Sequence, residues 1–479
     1  MNDKIKKWQL TVGLEVHIQL STQTKMFCPC PSKYGATPNT LICPICLGLP
    51  GALPSINEEA INMALRLGHA LNFKINEKTE FSRKNYYYPD LPKGYQISQF
   101  DKPICVDGNI EFEKNDKKNM IGITRAHLEE DSGKLIHHSN NYSFVDLNRA
   151  GSPLIEIVSE PEIHSSEDAR LYLEKLKQII EYINISDCDM EKGNLRVDIN
   201  VSVNKQGDNS LGTRREIKNL NSFKAVQKAI NFEFSEQVKI IENGDKIIQS
   251  TLTWDEKNNK TKILRKKEDA HDYRYFPEPD LPPLLVSNNQ IESAKAELPE
   301  LPNEKIIRFR KEYSLKNQDI DILISNINLA NYFEKLVSKT NLPQISANWI
   351  LVEILHYLNS NNIEINHFPI ETDRMAELIK LFDNKELTNL NAKKLFNLMI
   401  NSKEKPLNLI EKHNLKTIKD DNLLEKAVQD IFKKNPSEFD RLKDGDNKLI
   451  GFFMGQAMRA LKGKANPKSI QEIINKLIG

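Results

Sequence analysis

The sequence predicts an α+β protein in which a strand-rich first part is followed by an all-helical remainder. Four stretches of the first half alternate apolar with polar residues, as half-buried strands do. Residues 303–444 contain no glycine, whereas the segment before them is rich in glycine and proline. Beyond residue 300 the apolar residues recur at three- and four-residue steps, which is the spacing of amphipathic helices. The architecture is therefore expected to change near residue 300.

The predicted strands share an unusual feature, which is that each presents acids or a histidine on its polar side. Residues 13–20 and 195–203 alternate strictly, so that one face of each strand is aliphatic and the other is polar. The remaining strands are residues 121–131, which end in three acids, and residues 154–158, where one acid interrupts an apolar run. If these strands share a sheet, its polar face is predicted to be a site for a divalent metal and phosphate. The side chains concerned are Glu15, His17, Gln19, Glu129, Glu130, Asp131, Glu156, Arg196, Asp198 and Asn200.

The helical part follows two closely spaced prolines in residues 297–302. These predict a linker, because the residue before a proline is pushed out of the α region. Residues 402–406 suggest a second joint. The clearest amphipathic helix is residues 345–358, with the apolar positions Trp349, Leu351, Val352, Leu355 and Leu358. The predicted domains are 1–295, 296–405 and 406–479.

Charge and length limit the kinds of partner. The 479 residues suffice for two to four domains, and 67 Lys and Arg against 66 Asp and Glu leave a net charge of +1. This balance argues against a protein that coats nucleic acid through bulk charge, so any such contact must be local. Residues 448–479 offer a local positive region, since they carry six Lys or Arg and one Glu, a balance of +5.

The sequence shows neither a membrane segment nor a targeting signal. No apolar run approaches the roughly 18 residues that span a bilayer. Residues 1–7 lack the apolar core of a signal peptide. A cytoplasmic protein without membrane attachment is therefore expected.

Four of the six cysteines form two closely spaced pairs, Cys28 with Cys30 and Cys43 with Cys46. Two chelating pairs separated by a short loop are typical of tetrahedral zinc sites. The alternative is a set of free buried thiols. Because four thiolates close the coordination sphere of Zn(II), the predicted role is structural and the metal is expected to lie far from any chemistry.

The acids of the strands suggest a second metal. Glu15, His17, Glu130, Glu156 and Asp198 supply the oxygen ligands, plus one imidazole, that Mg(II) uses beside nucleotide phosphates. The alternative for any one of them is an ordinary solvated acid. An unpaired cluster of acids would repel itself and resist burial, and a bound cation removes this difficulty.

The sequence contains neither a P-loop nor a Rossmann glycine motif, and it lacks the nucleophile elbow of serine hydrolases. Phosphate contacts must therefore come from side chains. Two loops rich in tyrosine and proline, residues 86–96 and 272–280, suit stacking on a base or ribose, or alternatively rigid packing. The candidate phosphate ligands are Arg83, Lys84, Lys93, Arg125, Arg149, Arg196, Lys218 and the pair Arg265 and Lys266.

Taken together, these segments resemble the B subunit of the glutamyl-tRNA(Gln)/aspartyl-tRNA(Asn) amidotransferases, and the resemblance runs essentially from end to end. The cysteine quartet resembles the zinc-bearing branch of that family, whose other members lack these cysteines. The motifs that carry the resemblance are residues 13–17, 86–99, 127–131, 145–157, 216–223 and 272–280.

The resemblance implies a cradle-shaped catalytic domain on an antiparallel sheet, then a helical domain and a small helical tail that touches tRNA. It also implies that ATP phosphorylates the side-chain carboxylate of Glu-tRNA(Gln) or Asp-tRNA(Asn), and that ammonia then displaces phosphate. The implied partners are an amidase-type glutaminase, which is the A subunit, and a small C subunit. The implied cofactors are ATP, Mg(II) and a structural Zn(II).

Matching positions within the family motifs suggest roles for individual residues. The catalytic set is Glu130, Glu156, Lys218 and Arg149, with Glu130 as the first choice. The predicted ATP ligands are Arg83, Lys84, Lys93 and Arg125, which are chosen because they lie within or next to these segments. The predicted Mg(II) ligands are Glu15, His17, Glu130, Glu156, Asp198 and Glu216, and the predicted Zn(II) ligands are Cys28, Cys30, Cys43 and Cys46.

A second class of function fits some of the same features. A zinc-containing RNA-binding or assembly protein without catalysis would use the basic tail and the cysteines but would not need the acids. ATP consumption that depends on mischarged tRNA separates the two hypotheses. The choice between Glu-tRNA(Gln) and Asp-tRNA(Asn) is left open by the sequence.

Overall fold

The computed structural model describes residues 7–115, 117–137, 142–208, 210–266, 272–418 and 420–478, and the α+β prediction is confirmed. The chain divides into two compact units, Met1–Pro302 and Asn303–Gly479. Residues 1–6, which contribute to the prediction that a signal peptide is absent, lie outside the described residues. Within the described ranges, no helix combines the length and the apolar character needed to cross a bilayer.

The first unit is built on a nine-stranded sheet, accompanied by three smaller sheets of two or three strands. The strand order of the large sheet is β14-β13-β12-β11-β1-β10-β7-β6-β2. The strands in chain order are β1 (Trp8–Gln19), β2 (Lys74–Ile75), β3 (Lys78–Thr79), β4 (Ser82–Asn85), β5 (Tyr95–Ser98), β6 (Cys105–Lys114), β7 (Lys117–Glu130), β8 (Lys134–His137), β9 (Ser143–Asp146), β10 (Pro153–Ser159), β11 (Leu195–Lys205), β12 (Arg215–Lys218), β13 (Ser250–Asp255), β14 (Lys260–Lys266), β15 (Phe276–Pro277) and β16 (Leu284–Leu285).

The four strands predicted to carry acids are β1, β7, β10 and β11, and they are neighbours in the large sheet. All pairs in that sheet are antiparallel except β12 with β13, which are parallel. The exception has a simple cause, because the chain between β12 and β13 contains the helix Phe223–Glu242, and parallel neighbours need such a crossover.

Helices cover the apolar face of the sheet. Leu14, Val16 and Ile18 of β1 are at most 1% exposed and share one core with the apolar sides of these helices. Side-chain oxygens of Asn57, Ser165 and Ser222 cap the free backbone N–H groups at the starts of the first three helices. The helices are α1 (Glu58–Ala70), α2 (Ser166–Tyr182), α3 (Phe223–Glu242) and α4 (Asn288–Ala296).

The second unit is helical throughout its described part and contains two hydrophobic cores. Leu409, Ile410 and Leu415 belong to the first core, which therefore extends beyond residue 405, and the second core begins at Leu424. The division into three domains stays a prediction. The helices are α5 (Pro302–Tyr313), α6 (Asn317–Leu323), α7 (Ile327–Thr340), α8 (Pro343–Trp349), α9 (Leu355–Asn361), α10 (Thr372–Asp383), α11 (Asn389–Ile400), α12 (Pro406–Lys412), α13 (Asp421–Lys434), α14 (Pro436–Lys443), α15 (Leu449–Ala460) and α16 (Pro467–Ile478), with a π-helical turn at Ile350–Ile354 and a 3-10 turn at Ile365–His367.

The predicted amphipathic helix at 345–358 is present, but its register changes within it. A π-helical turn at Ile350–Ile354 joins α8 to α9 and shifts the helical register. As a result Ile350, Ile354 and Leu358 are buried, whereas Val352 is exposed. The expectation that Val352 lies on the apolar face is therefore wrong.

Candidate active site on the polar face of the sheet

The pairing register of the sheet brings the predicted acids together. Antiparallel partners point to the same face, so opposite residues become neighbours. His17 on β1 lies opposite Glu156 on β10, and Glu156 lies opposite His127 on β7. In the next row Glu15 lies opposite Asp198 on β11. The polar face therefore carries a continuous group of ionisable side chains.

His17, Glu129 and Glu156 form the first carboxylate cluster. The Nε2 atom of His17 lies 3.2 Å from Glu156 Oε2 and 3.6 Å from Glu129 Oε1. His127 adjoins the cluster, with its Nε2 atom 3.6 Å from Glu156 Oε2. One ligand atom from each of the three cluster residues lies within 4.8 Å of the others, which is close enough for all three to bind one ion.

The electrostatics of this cluster show a strong negative field. Burial alone would lower the pKa of His17, but the hydrogen bond and charge of Glu156 and the charge of Glu129 raise it to about 9. Burial and the charge of Glu156 raise the pKa of Glu129 to about 7. Burial lowers the pKa of His127 to about 4, so that this imidazole is neutral at pH 7. The raised pKa values of His17 and Glu129 reflect this negative field, which a bound cation would neutralise.

Glu15, Asp198 and Glu216 form the second carboxylate cluster, and their ligand atoms also lie within 4.8 Å of one another. Lys218 donates to Asp198 and, at 2.8 Å, to Glu216 Oε1. Burial would lower the pKa of Lys218, but these two carboxylates hold it above its ordinary value. Burial and the charge of Glu156 raise the pKa of Glu15, which shows that the two clusters interact.

The described residues of this face form two neighbouring cavities, and His17, Asp198 and Lys218 line both of them. The first cavity, of about 400 Å³, contains residues of both carboxylate clusters. It also contains cationic and aromatic side chains, which are Lys84, Arg125, Arg214, Arg265, Phe100, Tyr273 and Tyr275. The second cavity, of about 680 Å³, contains Arg149 and Arg196.

The walls of the first cavity have features suited to a nucleotide. The rings of Phe100 and Tyr275 are stacked, with their centroids 4.0 Å apart. The Lys84 ammonium lies 4.9 Å from the centre of the Tyr273 ring. Burial would lower the pKa of Lys84, but the charges of Glu129 and Glu156 hold it above its ordinary value. Aromatic rings, fixed cations and clustered carboxylates are therefore combined in one cavity.

Several predicted site residues are not brought into this cavity. Glu130 follows Glu129 on β7 and so points to the opposite face of the sheet. There it accepts from Lys93 and, at 2.9 Å, from the backbone N–H of Ile97. Arg83 is bound by Glu278 through two contacts of 2.8 Å. Of the four predicted ATP ligands, only Lys84 and Arg125 line the first cavity.

Arg149 is placed at the edge of the second cavity. Its guanidinium donates to the backbone carbonyls of Ser132 at 3.0 Å and Gly133 at 2.5 Å, and it lies 3.4 Å from Asp131. Arg196 reaches the same Asp131 carboxylate at 2.8 Å. Arg149 is therefore held in a fixed position facing the second cavity and does not line the first one.

The sequence analysis left two residues of this region, Glu129 and His127, out of the predicted metal and catalytic residues. Both belong to the stretch 121–131. Because three acids follow one another at its end, it is not obvious which acid shares a face with the other polar residues of the strand. Counting back by twos from Glu129 gives His127 and Arg125, all three polar, whereas counting from Glu130 gives Leu128 and Ala126. That alternation was the available signal.

The cysteine quartet, Cys28, Cys30, Cys43 and Cys46, has the geometry of a metal site. Its four sulfur atoms lie within 4.8 Å of one another and are not joined as disulfides. The backbone N–H of Cys43 donates to Cys46 Sγ at 3.1 Å, and the fully buried Lys25 ammonium lies 3.6 Å from the same sulfur. A buried ammonium beside clustered thiols offsets the negative charge of a tetrathiolate metal centre, so the quartet fits Zn(II).

The loop between the two cysteine pairs reaches the polar face. Residues 33–36 of this loop line the second cavity, together with His17, Asp198 and Lys218, whereas the four cysteines are not among its lining residues. The remoteness of the metal from the chemistry therefore stays a prediction. The spacing of the cysteines could not show where the loop lies, because the loop reaches the cavity through contacts with residues more than 100 positions away.

Comparisons with known proteins show the family of this chain. The family model of the GatB/GatE catalytic domain matches residues 10–292, and that of the GatB domain matches residues 331–478. The B subunit of the aspartyl/glutamyl-tRNA(Asn/Gln) amidotransferase of Persephonella marina is 47% identical over 473 residues, which are 98% of this chain and 100% of that relative. This chain belongs to the GatB/GatE family.

Other relatives carry the same name at similar identity. The B subunit from Thermodesulfovibrio yellowstonii is 47% identical over 472 residues, with 98% of the GatB-family chain and 99% of the relative covered. The B subunit from Caldicellulosiruptor saccharolyticus is 45% identical, with 98% of each covered. The family predicted from the motifs is confirmed. The catalytic-domain match favours the enzyme over a non-catalytic zinc-containing RNA-binding protein.

The cysteine quartet allows a direct prediction of metal content. We expect purified protein to contain about one Zn per chain by elemental analysis, because four clustered thiolates bind Zn(II) strongly. Cys43→Ser should lower this content, whereas Cys188→Ser, which changes a buried cysteine outside the quartet, should not. Recovery of metal-free, fully folded protein with four freely reacting thiols would contradict the assignment.

Proposed function

We propose that this GatB-family chain is the amidotransferase component that activates a carboxylate with ATP and converts it to an amide. The observation that carries the proposal is the combination, in one cavity, of two carboxylate clusters with cations and aromatic rings. The relatives are named for aspartyl/glutamyl-tRNA(Asn/Gln), so the proposed substrates are Glu-tRNA(Gln) and Asp-tRNA(Asn).

The reaction has two steps. A side-chain carboxylate oxygen of the mischarged aminoacyl group attacks the γ-phosphorus of ATP, and ADP leaves. Ammonia then attacks the acyl carbon, phosphate leaves, and Gln-tRNA(Gln) or Asn-tRNA(Asn) is formed. Phosphoryl transfer depends on positioning and charge neutralisation more than on a protein nucleophile, which agrees with a polar face of acids and cations.

The two carboxylate clusters would hold Mg(II), with His17, Glu129 and Glu156 in one group and Glu15, Asp198 and Glu216 in the other. Bound Mg(II) neutralises charge on the phosphates of ATP. The neutral His127 imidazole packs against Glu156 and Glu129 and helps to fix their orientation. We therefore propose Glu129, rather than Glu130, as the member of the acid triplet that takes part in phosphoryl transfer.

The cations around the clusters would bind the phosphates and the charge that develops during transfer. Lys84, Arg125 and Arg265 line the first cavity and would contact the phosphates, while Tyr275 and its stacked partner would contact the base. Lys218 lies where the two cavities meet and would face the transferred group. Glu156 and Lys218 thus keep their predicted catalytic roles in the proposal.

Ammonia would come from an amidase-type glutaminase, the A subunit, with a small C subunit joining the two. The assembled enzyme would then be a glutamine-hydrolysing carbon-nitrogen ligase of the cytoplasm. This division of labour accounts for a chain that lacks a hydrolase motif of its own.

The function can be tested with the complex assembled from all three proteins. We expect ATP hydrolysis and amide formation with Glu-tRNA(Gln) or Asp-tRNA(Asn), and neither with the uncharged tRNA. Ammonium chloride in place of glutamine isolates the reaction of the GatB-family chain. Tight tRNA binding without any ATP consumption would support the non-catalytic alternative instead.

The carboxyl-terminal segment is proposed to capture tRNA, because of its local charge of +5. Replacing Lys462 and Lys468 by Glu should raise the KM for mischarged tRNA and flatten the salt dependence of binding, with kcat unchanged. Replacing Lys316 and Lys335 by Glu, outside that segment, is the matched control. Equal tRNA affinities of the two double variants would count against the proposal.

A further inference from the structure

The second cavity has a wall that the proposed reaction does not yet use. Lys33, Tyr34, Gly35 and Ala36, between the two cysteine pairs, line it. The Tyr34 side chain is 64% exposed and has an aromatic face available to a ligand. Since this cavity meets the first one at His17, Asp198 and Lys218, a ligand bound in it can reach the carboxylate clusters.

Hydrogen bonds fasten this loop to the segment that carries Arg149. Asn39 donates to the carbonyl of Val145 at 2.9 Å and accepts from the N–H of Leu147 at 2.8 Å. Asn148 donates to the carbonyl of Thr37 at 2.7 Å and accepts from the N–H of Leu41 at 2.8 Å. The loop between the cysteine pairs and the residues leading to Arg149 therefore form one connected wall.

The chemistry of this cavity fits the end of a nucleic acid that carries an acyl group. Lys33 and Lys134 supply positive charge for phosphates, together with Lys192 and Arg149, which also contact Asp189 and Asp131. Tyr34 supplies a ring on which a base can stack. The acyl group of such a ligand would extend toward Lys218, where the two cavities meet. A free nucleotide would not need a cavity that opens onto a second one in this way.

We propose that the cysteine quartet, when it holds its metal, shapes this wall so that Tyr34 stacks on the terminal base of the aminoacyl-tRNA. Tyr34 is then a binding residue, and the four cysteines are positioning residues. The inference rests on the proposed function, because that function supplies the aminoacyl-tRNA. It goes further by assigning the 3′-terminal nucleoside to a cavity and a residue.

The test uses the assembled complex and a non-reactive probe, 3′-deoxy-3′-(glutamylamino)adenosine, in which an amide replaces the ester. Calorimetry should show that Tyr34→Ala weakens binding of the probe by roughly tenfold or more, the scale of one lost base–aromatic stack. Tyr34→Phe should bind like wild type. Tyr142→Ala, which removes an exposed tyrosine outside both tyrosine-rich loops and outside the lining of both cavities, is the matched control and should also bind like wild type.

Steady-state kinetics and metal removal complete the test. With Tyr34→Ala, KM for mischarged tRNA should rise while kcat and the affinity for an ATP analogue stay unchanged. Wild-type complex stripped of zinc should show the same loss of probe affinity, and added zinc should restore it. If neither Tyr34→Ala nor zinc removal changes the probe affinity, the inference is overturned. If the wild-type complex never forms amide, the proposed function is overturned instead.

Discussion

We expect Glu129→Gln to abolish most ATP-dependent amide formation while the protein remains folded. This result is expected because Glu129 lies in the first carboxylate cluster, 3.6 Å from His17, and is 2% exposed. Gln keeps the shape but removes the negative charge that would hold a cation beside the phosphates. Loss of a principal electrostatic group from an active site lowers kcat by on the order of a hundredfold or more.

The measurement is amide formation on mischarged tRNA with ammonium chloride in place of glutamine. Glutamine hydrolysis by the assembled complex should be unchanged and serves as the control for assembly. Near-normal amide formation by Glu129→Gln would move the assignment to another acid of the polar face, such as Glu15 or Glu216.

For Glu130→Gln we expect the opposite, which is a loss of stability. At temperatures where the variant stays folded, amide formation should change much less than in Glu129→Gln. Glu130 and Lys93 form a buried ion pair whose side chains are 4% and 9% exposed. Removing one charge leaves the other buried without its partner, at a cost of roughly 3 kcal/mol. Thermal unfolding should show a Tm lowered by several degrees.

A double variant provides the control for this prediction. Lys93→Met combined with Glu130→Gln removes both charges, so it should recover much of the lost stability. A Tm of Glu130→Gln equal to that of wild type, together with a hundredfold loss of amide formation, would restore Glu130 as the catalytic acid chosen from the sequence.

The contrast between Glu129 and Glu130 shows which parts of the site the sequence determines. The alternation in β1 and β11 was strict, so the faces of Glu15, His17 and Asp198 followed from period two alone. The face of Glu156 in β10, which interrupts an apolar run, follows from its position opposite His17. In β7 the acids stand in succession at the strand end, and only counting back by twos to His127 and Arg125 separates the face of Glu129 from that of Glu130. The pairing of β7 with β10, which places His127 opposite Glu156, agrees with that count.

Long-range ion pairs explain the other differences. Arg83 is bound by Glu278 and Lys93 by Glu130, and these partners lie 195 and 37 positions away in the chain. A list of basic residues near a motif cannot reveal such partners, because they depend on the completed fold. The cysteine quartet was predictable, since its ligands and their spacing are local. The approach of the loop between the cysteine pairs to the second cavity was not predictable.

The location of the bound cation tests the central claim most directly. Crystals of the protein soaked with Mn(II) and a non-hydrolysable ATP analogue give an anomalous signal that marks the ion independently of activity. The account predicts Mn(II) on the polar face, bound by His17, Glu129 and Glu156, with the analogue's phosphates toward Lys84 and Arg125. Mn(II) bound at Glu130 on the opposite face, or phosphates bound outside the first cavity, would contradict it.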